Sequence, residues 1–308
     1  MQLGMIGLGK MGGNMARRLR AKGFEVVGFN LDASATEVLA KEAGLIAADS
    51  IEALLAKLDP PRCVWLMLPA GESTEATIEQ LRALLQPGDI LVDGANSNYK
   101  DSIRRGRQLA EAGILFVDAG VSGGVWGLEN GYALMVGATD AAFARIQPMI
   151  EALAPATDRG WVHAGPVGSG HYVKMIHNGI EYGLMQAYAE GFALLRGKEE
   201  FKLDLAAIAE SWRHGSVVRS WLLDLTADVL AADQELAEVE PFVADSGEGR
   251  WTAMEGIEQG IPTPVMSLAL MARFGSQGQQ DYSSKLLAMM RQQFGGHAVR
   301  SHKPDTDA

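Results

Sequence analysis

The feature that most limits what this chain can fold into is a glycine-rich turn between a strand pattern and a helix pattern. Residues 3–8, LGMIGL, form an apolar run typical of a buried strand, and a helix pattern continues to about Lys22 before a second strand at 25–29. The glycines of the turn follow the spacing G-x-G-x-x-G, which lets backbone approach a pyrophosphate at a helix N-terminus. The sequence therefore predicts a dinucleotide site here. Its predicted pyrophosphate-binding residues are Gly7, Leu8, Gly9, Lys10, Met11 and Gly12.

The residues after the second strand indicate which dinucleotide is bound. They are Asn30, Leu31 and Asp32, and the nearest cation along the chain is Lys41 on the next helix. A carboxylate at this place binds the ribose 2′-OH of NAD, whereas an arginine accommodates the 2′-phosphate of NADP. The sequence therefore favours NAD, with NADP as a less favoured alternative, and assigns Asn30, Leu31 and Asp32 to the cofactor.

Strand and helix patterns then alternate, separated by short loops rich in glycine and proline. Helices are predicted near 50–58, 72–85, 101–112 and 140–153, and strands at 63–68, 89–94, 114–120 and 131–138. Such alternation predicts an α/β Rossmann unit with a doubly wound, mostly parallel sheet, which binds ligands at the carboxyl ends of its strands. The cofactor-binding residues predicted at those ends are Leu68, Pro69, Ala70 and Asn96, and the substrate-binding ones are Asn96, Ser122, Gly123 and Gly124.

A loop rich in glycine and proline at 154–170 marks the predicted domain boundary, because the pattern beyond it is helical throughout. Helices are predicted at 171–197, 203–213, 217–232, 250–259 and 264–291. The predicted organisation is a dinucleotide-binding domain over 1–164, an all-α substrate and dimerisation domain over 165–300, and a disordered tail over 301–308.

The first helix of the second half carries a stripe of polar residues. Lys174, His177, Asn178, Glu181 and Tyr182 stand at i, i+3, i+4, i+7 and i+8, so they project from one face. A solvated face with a Lys/Glu pair is the alternative, but a spacing of seven exceeds the i,i+4 reach that stabilises exposed helices. The other faces are apolar and predict burial nearly all round; they carry Val173, Met175, Ile176, Ile180, Leu184 and Met185. Buried polar groups need partners, so we predict that this stripe binds a ligand.

Charge and cysteine content exclude several other functions. The chain has 38 acidic and 27 basic side chains, for a net charge of −11, which argues against nucleic acid or an anionic membrane as a partner. We find no basic leader and no apolar run long enough to span a bilayer. The single cysteine, Cys63, cannot form an internal disulfide, which fits a reducing cytoplasm. No metal site is predicted.

Three longer motifs carry a resemblance to a known family. They are GDILVDGANSNYKDS at 88–102, VSGG at 121–124 and GSGHYVKMIHNGIEYG at 168–183. Together with the glycine turn, they resemble the 6-phosphogluconate dehydrogenase family in its short form of roughly 300 residues. Three further segments of the second half resemble substrate-binding segments of that family: WRHGSVVRS at 212–220, GEGRWTAMEGIEQGIP at 247–262 and RQQFGGH at 291–297.

The resemblance implies oxidative decarboxylation of 6-phospho-D-gluconate to D-ribulose 5-phosphate. It implies Lys174 as the base at the C3 hydroxyl, Glu181 as the proton donor to C1, and Asn178 beside them. It also implies that Arg291 and His297 close on the phosphate, in many members from the partner subunit, so that the active site is shared. Independently of the resemblance, the apolar faces of the helical second half predict a homodimer or a tetramer of dimers. The substrate-binding residues that the resemblance implies are Asn96, Ser122, Gly123, Gly124, His177, Tyr182, Arg219, Arg250, Thr252, Arg291 and His297. Members that depend on NADP carry Asn-Arg-Thr after the second strand, where this chain has Asn-Leu-Asp, so the resemblance also favours NAD.

Two other functions remain open at this point. A non-decarboxylating 3-hydroxyacid dehydrogenase of the 3-hydroxyisobutyrate type would share the glycine turn, VSGG, Lys174 and Asn178 but has no use for Glu181 or the arginines. A non-catalytic redox sensor that binds a dinucleotide would need no Lys174/Glu181 pair.

Overall fold

The computed structural model describes residues 1–278 and 281–295, and the chain divides into two compact units. The first unit is Met1–His177 and the second begins at Asn178, so the division falls inside a long helix. The loop predicted as the boundary, 154–170, lies wholly within the first unit. His297 and the predicted tail lie outside the described residues.

The first unit is built on one eight-stranded sheet of order β3-β2-β1-β4-β5-β6-β7-β8. All neighbouring strands are parallel except β6 and β7, which are antiparallel. The strands are β1 (Gln2–Ile6), β2 (Glu25–Phe29), β3 (Ile46–Ala47), β4 (Cys63–Leu66), β5 (Ile90–Asp93), β6 (Leu115–Ser122), β7 (Ala133–Gly137) and β8 (Trp161–Gly165). The predicted doubly wound, mostly parallel sheet is confirmed.

Helices cover both faces of this sheet. They are α1 (Lys10–Ala21), α2 (Ala33–Ala43), α3 (Ile51–Ala56), α4 (Glu72–Leu84), α5 (Tyr99–Glu111), α6 (Gly127–Asn130) and α7 (Asp140–Leu153), with α8 (Ser169–Gly197) beginning in this unit. Side chains at the preceding position start several of them by accepting a backbone N–H, as Ser50 does for α3 and Thr139 for α7. Cys63 and Trp65 of β4 pack into one core and Val64 and Leu66 into the other, which explains why this strand is a continuous apolar run.

The second unit is helical in its described part, as predicted. After α8 come α9 (Leu205–Arg213), α10 (Trp221–Ala232), α11 (Glu248–Gln259), α12 (Pro264–Ser276) and α13 (Asp281–Gly295). Its apolar side chains form two small clusters, one around Phe192 and Leu223 and the other around Tyr182 and Leu270. Among the described residues, no helix has the length and apolar character needed to cross a membrane.

Three details of the predicted elements were wrong. The predicted loop 154–170 contains the edge strand β8, which has one neighbouring strand and exposes Val162, so its apolar signal is weak. The short strand β3 was not predicted. The single helix predicted over 264–291 is two helices, because α12 ends at Ser276 and Gly278 adopts a positive φ of 77°.

The predicted burial of α8 on nearly all sides was also wrong. Met175 is buried, but Val173, Ile180, Leu184 and Met185 are between 38% and 52% exposed. The apolar residues in the sequence of α8 indicate that these faces are suited to packing. They do not indicate that another part of the same chain packs against them.

Candidate active site

The glycine turn forms a cradle at the start of α1. Gly7 has a φ of 89°, and a Cβ there would lie 2.4 Å from the Met67 carbonyl oxygen, while a Cβ on Gly12 would lie 2.0 Å from the Gly7 oxygen. A Cβ on Gly9 would meet nothing within 4 Å, so the turn is open at that point. Gly9 is also the N-cap of α1 and has no side chain to accept the first backbone N–H groups of the helix. Such N–H groups suit an anion, so the turn fits a dinucleotide pyrophosphate.

A cavity of about 460 Å³ lies beside this cradle. Six residues predicted for the cofactor line it, namely Gly7, Gly9, Asn30, Leu31, Leu68 and Pro69. Asp49 and Glu52, which the sequence analysis did not single out, add two carboxylates, and no lysine or arginine is among the described lining residues. Of the other predicted cofactor residues, Met11 packs against the core and Lys10, Asp32 and Ala70 are exposed.

Asn30 and Asp32 hold the end of β2 in place. The Asn30 side chain accepts the Leu8 N–H at 2.9 Å, which ties the glycine turn to β2, and donates to the Asp32 carbonyl at 3.1 Å. The Asp32 carboxylate accepts the N–H and the hydroxyl of Ser34 at 3.0 and 2.7 Å and so caps α2. Both hydrogen bonds lower the pKa of Asp32, and the one from the Ser34 hydroxyl has the larger effect. The acid predicted for the ribose thus also has a structural partner.

Asn96 and the VSGG segment meet at the ends of β5 and β6. The Asn96 amide accepts the Val121 N–H at 2.8 Å and donates to the Val121 carbonyl at 3.1 Å, and Asn96 itself has a φ of 54°. The Ser122 hydroxyl lies 3.5 Å from Nε2 of His177. Gly123 and Gly124 follow with φ values of 140° and 53°, which favour glycine. The structure therefore brings Asn96, Ser122 and His177 into one region of the first unit.

Lys174 stands one turn before His177 on α8 and is 5% exposed. A Cβ on Gly120 of β6 would lie 2.4 Å from the Lys174 Cβ, so the lysine sits directly against the strand that ends in VSGG. A lysine this buried is rare unless it is paired or functional.

In the second unit, Tyr182 and Arg250 meet at Asp245. The Tyr182 hydroxyl donates to Asp245 Oδ1 at 3.3 Å, and Arg250 donates from Nε and Nη2 to Asp245 Oδ2 at 3.0 and 2.7 Å. The guanidinium carbon of Arg273 lies 3.4 Å from the centre of the Tyr182 ring. Burial acts to raise the pKa of Asp245, but the Gly247 N–H and the Arg250 guanidinium outweigh it and lower that pKa. The sequence analysis missed Asp245, which precedes the GEGRWT motif.

The remaining predicted residues of the second unit lie on α8, α11 and α13 and in the loop before α10. Thr252 is buried against Gly179, and its hydroxyl donates to the Glu248 carbonyl at 2.9 Å. Arg219, in the loop before α10, and Arg291, on α13, have exposed side chains. Asn178 and Glu181 are half-buried on α8. In residues 1–278 and 281–295, no group of three or more histidine, cysteine or acidic side chains could hold a metal ion.

These features first define a class of protein: a dinucleotide-binding Rossmann unit joined to a helical unit through one long helix that carries a buried lysine. Comparison with known proteins narrows the class. The family model for the NAD binding domain of 6-phosphogluconate dehydrogenase matches residues 2–163, and the model for the C-terminal domain of 6-phosphogluconate dehydrogenase matches residues 170–304. The chain belongs to the 6-phosphogluconate dehydrogenase family.

Individual relatives agree with this assignment. The NAD(+)-dependent, decarboxylating 6-phosphogluconate dehydrogenase of Haloferax volcanii is 42% identical over 300 residues, covering 97% of this chain and 98% of that protein. YqeC of Bacillus subtilis is 40% identical over 299 residues, covering 97% of this chain and 99% of the relative. The solved structure of Plasmodium falciparum 6-phosphogluconate dehydrogenase, described in apo form and with NADP+ and 6-phosphogluconate, has a TM-score of 0.83 at 30% identity and covers 100% of this chain and 67% of that one. The family recognised from the motifs is confirmed.

Proposed function

We propose that this protein oxidises and decarboxylates 6-phospho-D-gluconate to D-ribulose 5-phosphate and CO2 with reduction of NAD. The observation that carries the proposal is the polar stripe of α8, on which a buried Lys174 shares one helix face with Asn178 and Glu181. The names of the Haloferax and Plasmodium relatives support the same substrate. A non-decarboxylating 3-hydroxyacid dehydrogenase would use the lysine and the asparagine but would have no role for Glu181.

The proposed roles follow from where charge and protons must move. Bound NAD would supply the hydride acceptor. Neutral Lys174 accepts the proton of the C3 hydroxyl as C3 is oxidised, a role that suits a lysine in a dry site. When the β-keto acid loses CO2, the Lys174 ammonium stabilises the negative charge that develops on the C3 oxygen. Glu181, two turns or about 10 Å further along α8, protonates C1 of the enediol and completes conversion to the ketone.

The remaining predicted residues would bind the substrate. Asn96, Ser122, Gly123, Gly124, His177 and Asn178 would orient the carboxylate and the hydroxyls. The phosphate would be held by Tyr182, Arg219, Arg250, Thr252, Arg291 and His297. Arginine suits this task because its planar fork matches phosphate oxygens. A local group of cations is also required, since the net charge of −11 repels an anionic substrate.

We further propose that NAD is preferred to NADP. Asp32, Asp49 and Glu52 place three carboxylates at or near the cavity beside the glycine cradle, and its described lining contains no cation. A 2′-phosphate would be repelled by these carboxylates and would lack an arginine partner. Relatives of both kinds occur, because the Haloferax protein is named NAD(+)-dependent and the Plasmodium structure is described with NADP+.

A homodimer in the cytoplasm completes the proposal. The helices of the second unit expose large apolar side chains, including Val265 at 67% and Leu268 at 68%, and line a groove of about 840 Å³. Exposed apolar patches of this kind mark association surfaces. Light scattering after size-exclusion chromatography should give the mass of two chains or four, and a mass of 33.0 kDa would contradict the dimer.

The deciding experiment measures initial rates with 6-phosphogluconate and with unphosphorylated gluconate, using NAD and NADP separately, while released CO2 is followed. We expect turnover of the phosphorylated acid only, faster with NAD, and one CO2 for each NADH. NADH without CO2, or indifference to the phosphate, would instead support the 3-hydroxyacid dehydrogenases. Dinucleotide binding without turnover of any sugar acid would support a redox sensor.

A further inference from the structure

A carboxylate in the middle of β6 binds the start of α8. Asp118 Oδ1 accepts the Gly168 N–H at 2.6 Å and Oδ2 accepts the His171 N–H at 2.8 Å. Asp118 is 0% exposed and His171 is 1% exposed. Both N–H groups lie at the beginning of α8, where backbone donors have no acceptor within the helix. Asp118 is therefore an N-terminal cap supplied by a strand rather than by a neighbour in sequence.

Three glycines bring the backbone of α8 directly against the sheet. A Cβ on Gly170 would lie 2.4 Å from the Asp118 carbonyl oxygen, and one on Gly137 would lie 2.4 Å from Asp118 Oδ1. A Cβ on Gly120 would lie 2.4 Å from the Cβ of Lys174. No side chain fits between the first two turns of α8 and the strands at these points. Both the distance and the rotation of this part of α8 are consequently set by backbone contact and by the Asp118 cap.

A cap alone does not explain a buried carboxylate at this position. Burial raises the pKa of Asp118, against the opposing effects of His171 and of the two N–H groups, so the ionised form is held at an energetic cost. A side-chain cap is not required of every helix in this unit, since α1 and α4 begin at Gly9 and Gly71 without a side-chain acceptor. What distinguishes α8 is that it carries Lys174 one turn beyond His171.

We propose that Asp118 is a positioning residue for the proposed reaction. By accepting hydrogen bonds from the Gly168 and His171 N–H groups, its carboxylate fixes the rotation of α8 over Gly120. This rotation in turn determines the position of the Lys174 amine. A rotation of about 10° moves an atom at a side-chain radius of ~5–6 Å by about 1 Å. A misplacement of about 1 Å can cost roughly 10²-fold in rate. The inference rests on the proposed role of Lys174 as the base.

The first test is Asp118→Asn, which keeps the size of the side chain but replaces one accepting oxygen with an NH2 group that faces an N–H donor. Asp89→Asn is the matched control. Asp89 is also buried and accepts two backbone N–H groups, from Arg62 at 2.6 Å and Gln86 at 2.9 Å, but it precedes β5 at the amino ends of the parallel strands, whereas Asp118 lies in the middle of β6. Both variants lose a buried carboxylate, and only Asp118→Asn changes the support of Lys174.

Kinetics at a temperature where circular dichroism shows both variants folded should separate them. We expect Asp118→Asn to lower kcat roughly tenfold or more while the KM for NAD changes little, because the lysine moves and the glycine cradle does not. Asp89→Asn should keep the wild-type kcat. Equal kcat values in Asp118→Asn and Asp89→Asn would overturn the inference and leave Asp118 as a plain structural cap.

A second readout does not depend on any substrate. Brief labelling with an amine-specific acylating reagent, mapped by mass spectrometry, reports how accessible the Lys174 amine is. Lys174 should be labelled faster in Asp118→Asn than in the wild type and in Asp89→Asn. Unchanged labelling would contradict the inference even if 6-phosphogluconate proved not to be the substrate. Absence of CO2-releasing turnover in the wild type, with labelling changed as expected, would overturn the proposed function alone.

Should Asp118→Asn fail to fold, Gly120→Ala tests the same geometry from the strand. The added methyl group would push against the Lys174 Cβ and should lower kcat with little change in the KM for NAD. A Gly120→Ala variant with wild-type kcat and wild-type labelling of Lys174 would overturn the inference.

Discussion

Asp245 accepts two hydrogen bonds from Arg250 on a single carboxylate oxygen, at 3.0 and 2.7 Å. The other oxygen accepts from the Tyr182 hydroxyl and from the Gly247 N–H, at 3.3 and 2.9 Å. One acid thus orients two of the side chains that we propose for phosphate binding, Tyr182 and Arg250. The Arg250 side chain remains 53% exposed, and its guanidinium has further N–H donors to offer.

Replacing Arg250 with methionine should weaken the binding of phosphorylated substrate. A charge-assisted hydrogen bond contributes about 1.5–3 kcal/mol, so the KM for 6-phosphogluconate should rise roughly 10- to 100-fold in Arg250→Met. The KM for NAD should not change. Arg159→Met is the control, because Arg159 is an exposed arginine paired with the adjacent Asp158 in the first unit. Steady-state kinetics that gave both variants the same KM would contradict the phosphate role.

Replacing Lys174 with methionine should remove the base and keep the fold. Methionine is close in length to lysine and suits a site that is 5% exposed. We expect kcat to fall by about 10²- to 10⁴-fold, the usual contribution of general acid–base catalysis, while NAD binding measured by calorimetry stays near the wild-type value. Lys198→Met, which removes an exposed lysine paired with Glu200, should be neutral. A Lys174→Met variant with substantial turnover would exclude the lysine as the base.

Cofactor preference should reverse in the double variant L31R/D32T. Leu31 is 95% exposed, so an arginine there disturbs no packing, and threonine can still cap α2 in place of Asp32. We expect kcat/KM with NADP to rise roughly tenfold or more, in line with one charge-assisted contact to the 2′-phosphate. The control L31A/D32T removes the same acid without adding a cation. If the control gained as much with NADP, repulsion by Asp32 alone would set the preference.

Glu75 should make the protein more stable at neutral than at acid pH. Hydrogen bonds from Arg104, and then from the buried Arg105, lower the pKa of Glu75 to about 2, below its ordinary value of 4.5. A depressed carboxyl pKa stabilises the folded state above the unfolded pKa, and that stabilisation is lost as the pH falls towards the folded value. Urea unfolding should therefore show that Glu75→Gln is less stable than wild type at pH 7, with the difference shrinking between about pH 4.5 and pH 2. The exposed Glu79, paired with Arg82, supplies the control Glu79→Gln, which should show a smaller effect.

Elements that bury a whole face could be predicted from the sequence. The strand EVVGF was predicted at 25–29 and is β2, and the helix predicted at 140–153 is α7 with the same bounds. Both elements pack against a core on a regular period, so the spacing of their apolar residues records the structure. β8 could not be predicted in this way, because an edge strand with an exposed Val162 has no such pattern.

Partners that are distant in sequence could not be predicted. The sequence analysis did not single out Asp118, and its partner Gly168 follows 50 residues later. Asp245 carries no signal of its contact with Tyr182, which lies 63 residues away. Such contacts depend on the tertiary fold, which cannot be predicted from the local periodicity of apolar residues. The roles of the site residues within one active site likewise remain predictions.

The position of Asp32 is consistent with two roles, binding of the cofactor ribose and capping of α2. Asp32 was assigned to the ribose because it follows β2, yet the same acid caps α2 through Ser34. The pattern Asp-x-Ser at a helix start is an N-terminal capping signal as well as a cofactor signal. The double variant with threonine separates the two, because it keeps the cap and removes the charge.

The division between the two units inside α8 restricts how such a protein can evolve. A first unit ending at His177 would keep only the start of that helix, which Asp118 and the glycines of the sheet hold in place. A new second unit would have to be spliced into the helix in register, since a slip of one residue rotates everything beyond it by about 100°. Exchange of the two halves between proteins of this architecture therefore requires a junction that keeps the register of α8.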